Sequence, residues 1–112
     1  MILISSAKID NLAQIFQILS ETNRLKILFA LQDDSRSVSE ITKLTNLSQP
    51  LVSFHLNALR EAGLVEKYRK STFVFNKLSD PKLIDLIKQF NQYNIENCPK
   101  EKSSFPCPPW QD

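Results

Sequence analysis

Apolar positions recur with helical spacing along most of the chain and change once to a strand-like alternation. In residues 8–19, Ile9, Leu12, Ala13, Phe16 and Leu19 fall on one face of a first, amphipathic helix. The run Leu25, Ile27, Leu28, Phe29, Ala30 and Leu31 is apolar over a wider arc, which predicts a second helix, opening near Ser20 or Thr22, as the buried centre of the domain. Residues 32–36 are polar and end it. Ser37 with Glu40 three residues on has the form of a capping box, and Ile41 and Leu44 are expected to face inward from a helix of barely two turns. Asn46 and Leu47 turn the chain into Ser48, the cap of a fourth helix that carries Pro50 in its first turn and Gly63 just past its end. At about 100° per residue, Val52, Leu56 and Leu59 make its core seam, and Gln49, Ser53, Asn57 and Arg60 an adjoining polar stripe.

Beyond Gly63 the period changes. Val65, Lys67 and Arg69 alternate with Glu66 and Tyr68, and Phe73, Val74 and Phe75 follow, a β-branched and aromatic mix suited to a hairpin. Its tip, residues 69–72, has no Gly, so a longer or looser loop than a two-residue turn is expected. Ser79 or Asp80 caps a last helix with Pro81 at its start, and Leu83, Ile84, Leu86, Ile87 and Phe90 form its apolar side. From Asn97 on, the sequence holds four of the six prolines and no apolar period, which predicts an irregular or extended tail.

Gln, Asn, Ser and Arg are the residue types that bond to base edges in a major groove, although a polar stripe alone is more often a solvated helix face. Its context here is a short helix before it, across a tight turn, and a basic hairpin after it. The segment SQPLVSFHLNALREAGLVEKYRKSTFVF resembles the recognition helix and wing of the ArsR family of small bacterial and archaeal repressors, and ETNRLKILFAL resembles that family's second helix. The likeness covers roughly residues 9–87. It implies a fold that is mainly α with a small β-hairpin, a winged helix-turn-helix in residues 1–97 whose first and last helices pair with those of a second subunit, and leaves residues 98–112 as a Pro-rich, Cys-containing tail. Independently, two amphipathic helices flanking a small core carry more apolar surface than one 112-residue domain easily buries, which also points to a homodimer.

The function implied is a sequence-specific transcriptional regulator, a repressor released by an inducer. Two recognition helices related by a two-fold axis would enter successive major grooves of double-stranded DNA at a palindromic operator. Gln49, Ser53, Asn57 and Arg60 are candidates for base or phosphate contact, Ser48 with the helix N-terminus for a phosphate, and Ser37, Ser39 or Thr42 of the preceding helix likewise. Lys67, Arg69, Lys70 and Ser71 are placed on the wing to track the backbone or enter the minor groove, although a solvated hairpin has the same charges. Phe54 stands where relatives carry Arg or His, at the edge of the stripe, to touch a thymine methyl or to pack beside Glu61. His55 follows the family's motif but points to the apolar side, so it is expected to be partly buried and hydrogen-bonded rather than a base reader or ligand.

Composition adds limits. The 112 residues are 42% hydrophobic with one Gly, and the net charge of +2 leaves nucleic-acid binding to local patches. The N-terminus lacks a basic n-region and no apolar run approaches the ~18 residues of a membrane span, so no membrane association and a cytoplasmic location are expected. No Gly-rich phosphate loop, nucleophile elbow or paired His and acid suggests an enzyme. The segments SVSEIT and LIDLIKQFNQYNIEN stand where metal-sensing relatives carry their ligands, and lack them. Cys98 and Cys107, each followed by Pro, are candidate ligands for arsenic(III), as arsenite or its methylated form, or another thiophilic ion; they are equally a pair that oxidises to a disulfide or polysulfide, or two inert thiols. The alternatives to an inducible repressor are a regulator of the same family that senses nothing and a winged-helix protein-interaction module, which an exposed Phe54 would suit.

Overall fold

Side-chain caps decide where the helices begin. In the computed structural model, which describes residues 4–93, Ser5 Oγ accepts the N–H of Lys8 at 3.2 Å, so α1 (Ser6–Leu19) opens two residues before the expected start. α2 (Thr22–Ala30) opens at the later of its two candidate positions. The capping box of α3 (Val38–Thr45) is complete: Glu40 N–H donates to Ser37 Oγ (3.2 Å) and Ser37 N–H to Glu40 Oε1 (3.0 Å). Asn46 then takes a left-handed φ of 61°, which turns the chain sharply into Ser48, whose Oγ accepts from Leu51 N–H at the start of α4 (Gln49–Glu61). α4 stops at Gly63, φ 80°, where Gly63 N–H bonds to Arg60 O (3.0 Å) and Leu64 N–H to Leu59 O (3.0 Å), the Schellman pattern that only a residue free of Cβ adopts without strain. Ahead of α5 (Lys82–Gln89) it is Asp80 that receives the Lys82 N–H (3.0 Å), while Ser79 Oγ is buried with no hydrogen-bond partner among the described residues. A turn of 3-10 helix, Phe90–Gln92, follows.

The core lies among α2, α3 and α4. Ile27 and Leu28 of α2, Ile41 of α3, and Val52, Leu56 and Leu59 of α4 are fully buried, joined by Leu31, Val65, Leu78 and Ile84. Leu44 departs from its expectation. It is 57% exposed and borders an open groove with Leu25 and Phe29. On a two-turn helix, α2 and α4 cover only the arc around Ile41, and Val38 and Leu47 rather than Leu44 fill the space beside it.

Strands β1 (Val65–Lys70) and β2 (Phe73–Leu78) form an antiparallel hairpin with Val65 opposite Leu78 and Lys70 opposite Phe73. The connection is therefore only Ser71 and Thr72, a two-residue turn instead of the looser loop expected. Ser71 supplies the positive φ, 59°, that glycine ordinarily provides. Beyond the hairpin, Arg36 in the α2–α3 connection pairs with Asn76: Arg36 N–H bonds to Asn76 O at 2.9 Å and Asn76 N–H to Arg36 O at 2.7 Å. The side chain of Asn76, 1% exposed, completes the junction. Its Nδ2 donates to Arg36 O (3.3 Å) and its Oδ1 accepts from Arg60 Nη1 of α4 (3.1 Å). One residue thus fixes the wing to the helix beside it and to the loop that begins the helix-turn-helix.

α1 has no buried residue, and Ile9, Leu12 and Phe16 are each 42–50% exposed. At the other end Leu86 and Phe90 are equally uncovered, and the Phe16 and Phe90 rings meet edge to face at 5.7 Å. The terminal elements thus present one apolar surface that the other described residues do not cover.

Two substitutions one turn apart test the placement of α3: Ile41→Ala should cost about 2–5 kcal/mol in chemical denaturation, and Leu44→Ala less than about 0.5 kcal/mol. At the wing junction Asn76→Ala removes a donor and an acceptor together and should cost about 2 kcal/mol by the same assay.

Candidate nucleic-acid interface

The turn between α3 and α4 sets α4 on top of a filled core, so one side of that helix is sealed and the other is free. Val52, Leu56 and Leu59 are at 0% exposure, whereas Gln49, Phe54 and Asn57 are exposed and Ser53 and Arg60 half-buried. Gln49, Ser53 and Asn57 lie at successive i, i+4 positions and form a ridge of amides and a hydroxyl along one line of the helix. Arg60 stands at the end of that line in a different capacity. Its Nη2 donates to Asn57 Oδ1 and its Nη1 to Asn76 Oδ1, so its guanidinium spans from the ridge to the base of the wing. It holds the Asn57 amide by its oxygen.

The remaining sequence-derived candidates divide by what their polar atoms already bind. Ser48 and Ser37 use their oxygens as caps, and the Thr42 hydroxyl donates to Val38 O at 2.8 Å, within its own helix. Ser39 is exposed. On the wing Lys67, Arg69, Lys70 and Ser71 are all exposed, and among the described residues none of the three cations is in a salt bridge. Lys77 contacts Glu66 at 3.9 Å and lies over the Tyr68 ring at 5.7 Å. The hairpin from 65 to 78 thus carries Lys67, Arg69, Lys70 and Lys77 against one carboxylate, Glu66. Positive charge is thus concentrated on the hairpin.

Phe54 does not pack away. It is 62% exposed, with its ring edge to face against His55 at 5.2 Å. His55 is buried, as expected, and its Nδ1 accepts from Arg24 Nε at 3.2 Å; Arg24 Nη1 in turn donates to Ile18 O at 3.3 Å. That chain of bonds fastens the middle of α4 to α2 and the end of α1, which gives His55 a role in holding the helix in place.

Two residues were not singled out by the sequence reading. Asn76 stands in FVFNKL at an inward register, two residues before the buried Leu78, and a polar residue at such a position is the signal of a satisfied hydrogen-bond hub. Phe73 has in the sequence only the character of a strand former; in the structure its side chain is 63% exposed. Cys98 and Cys107 lie outside the described residues, and among those described no group of three or more His, Cys, Asp or Glu is arranged to hold a metal ion.

Known proteins carry the same arrangement. Residues 21–67, from the start of α2 into β1, match the profile of the bacterial regulatory protein, arsR family. The chain is 33% identical over 73 residues to the transcriptional repressor SdpR of Bacillus subtilis, a stretch that is 65% of this chain and 81% of that one. It is 34% identical over 74 residues to the cadmium resistance transcriptional regulatory protein CadC of Listeria innocua, covering 65% of this chain and 62% of the relative. Among solved structures, the homodimeric winged helix-turn-helix DNA-binding domain from Mycobacterium bovis, described as a possible ArsR-family transcriptional regulator, superposes with a TM-score of 0.70 at 27% identity over 86% of this chain and 94% of that one. Residues 21–67 match the family profile and the likeness to SdpR spans 81% of that repressor, so the chain belongs to the ArsR family of transcriptional regulators.

Proposed function

We propose that this chain is a homodimeric, sequence-specific DNA-binding repressor that works in the cytoplasm on a palindromic operator. The observation that carries the reading is the division of α4: one side is entirely sealed by Val52, Leu56 and Leu59, and the other projects Gln49, Ser53 and Asn57 beside a hairpin bearing four cations. Gln49 and Asn57 are the side chains suited to bidentate bonds with adenine, Ser53 to either base edge, and Phe54 to a thymine methyl. Arg60 acts as a brace for Asn57. Lys67, Arg69, Lys70 and Ser71 of the wing, with Ser37, Ser39, Thr42 and Ser48 around the turn, supply contacts to phosphates that fix register without reading sequence.

Dimerisation is supported by the exposed apolar surface of α1, α5 and the 3-10 turn after it, Ile9, Leu12, Phe16, Leu86 and Phe90, and by the homodimeric state of the Mycobacterium bovis relative. Pairing through it would place two copies of α4 in successive major grooves. For an inducer the chain offers Cys98 and Cys107, two soft sulfur ligands for arsenic(III) or another thiophilic ion. A second reading, a protein-interaction module, is favoured by the 62% exposure of Phe54.

The test is fluorescence anisotropy of the full chain on duplex fragments from upstream of its own gene, across a salt series. Binding should weaken linearly with the logarithm of salt concentration; Arg69→Ala should reduce affinity similarly for every sequence and lower that slope by about 1, while Gln49→Ala should cost about 1–3 kcal/mol on the best fragment and relax its preference. Failure to bind any duplex at low salt would favour the interaction module.

A further inference from the structure

The two faces of the wing differ in a way that phosphate tracking does not explain. One face carries Val65, Asn76 and Leu78, buried against the body. The other carries an aromatic row: Tyr68 stacks on Phe75 across the strands at 5.7 Å, and Phe73 lies 6.4 Å from Phe75. The Tyr68–Phe75 pair is accounted for as a cross-strand contact that holds a two-stranded hairpin together. Phe73 is not. Its cross-strand neighbour is Lys70, it immediately follows the Ser71–Thr72 turn, and at 63% it is among the most exposed apolar side chains of the described residues. The tight turn before it also has Ser71 in a left-handed φ, a conformation that is strained for a serine and not for glycine. The result is an apolar ring at the extremity of the hairpin, beside Phe75 on its own strand and opposite Lys70 on the other.

Charge selects the partner. A hairpin with four cations, Lys70 and Lys77 on the face of the ring and Lys67 and Arg69 on the opposite one, against the one carboxylate of Glu66 suits a polyanion, and a flat apolar ring suits the stacked bases or sugars of that polyanion once its phosphates are held. We propose that Phe73 is a minor-groove wedge. As the wing's cations seat on the backbone beside each major-groove contact, the Phe73 ring inserts at a base step, unstacks it and bends the duplex. Pyrimidine–purine steps unstack most easily, so the ring would confer a preference for such a step at positions no polar side chain reads. This inference rests on the DNA-binding reading of the preceding subsection and extends it to the shape of the bound DNA.

The experiment uses the full chain and a 30-base-pair duplex enriched from a random library by the wild-type protein, carrying a dye pair at its ends and, in a parallel series, 2-aminopurine at successive positions. Wild-type protein should shorten the end-to-end distance and raise 2-aminopurine fluorescence at a step flanking each half-site. Phe73→Ser should abolish both signals and weaken binding about ten-fold. Phe73→Leu, which keeps an apolar wedge and the contact with Phe75, should retain both signals. Lys70→Ala should weaken binding while leaving the bend intact. Binding with no bend in the wild type, or a bend and fluorescence change that survive Phe73→Ser, would overturn the wedge and leave the repressor reading standing. A change in sedimentation without a change in the DNA would reassign the ring to a protein interface and overturn it too. Enrichment of no duplex at all would overturn both readings together.

Discussion

Burying Asn76 obliges three segments to meet. An amide taken out of water must find partners or lose about 1–3 kcal/mol, and the partners available are the backbone of Arg36, before α3, and the guanidinium of Arg60, on the last turn of α4. Satisfying Asn76 therefore sets the distance between the start of the helix-turn-helix, the end of the recognition helix and the root of the wing. Arg60 transmits that constraint to Asn57 on the exposed ridge. The basic hairpin and the polar ridge are rigidly related because one inward side chain on β2 bonds to both of their supports.

A second anchor acts at the middle of α4. The bonds from Ile18 O through Arg24 to His55 tie α4 to the elements packed beneath it. Between these two anchors the helix is held by a fully buried seam, so its outer residues move with the core. A surface that reads base edges needs such rigidity, since a misplaced amide loses its bidentate geometry. The terminal helices have the opposite character. α1 buries nothing completely and faces outward with half-exposed Ile9, Leu12 and Phe16, so the stability of that region within the monomer is low. A partner surface would supply the missing cover.

Much of this was legible in the sequence because local chemistry and global fold agree. The Ser37–Glu40 box, Ser48 with Pro50, and Gly63 each specify a helix end by a mechanism confined to a few residues. The seam of α4 follows from its period alone. What escaped the sequence depends on neighbours far along the chain. Leu44 looks inward by spacing, yet among the described residues no element covers that side of so short a helix. The wing turn lacks glycine, yet pairing along the full length of both strands fixes a two-residue connection and forces Ser71 to accept a positive φ. Arg60 counts on the wheel as part of the ridge, but its length lets it turn aside to Asn76, 16 residues on. The Arg36 bridge adds a strand pairing that no β pattern in residues 32–36 announces.

Footprinting of the full chain on the enriched duplex, with dimethyl sulfate for the major groove and hydroxyl radical for the minor groove, tests the central claim, that a ridge on α4 rigidly joined to a basic wing reads DNA as a symmetric pair. Two protected major-groove tracts about ten base pairs apart, each with protection of the adjoining minor groove, are predicted. A single tract, or tracts whose flanking minor groove stays fully cleaved, would contradict it.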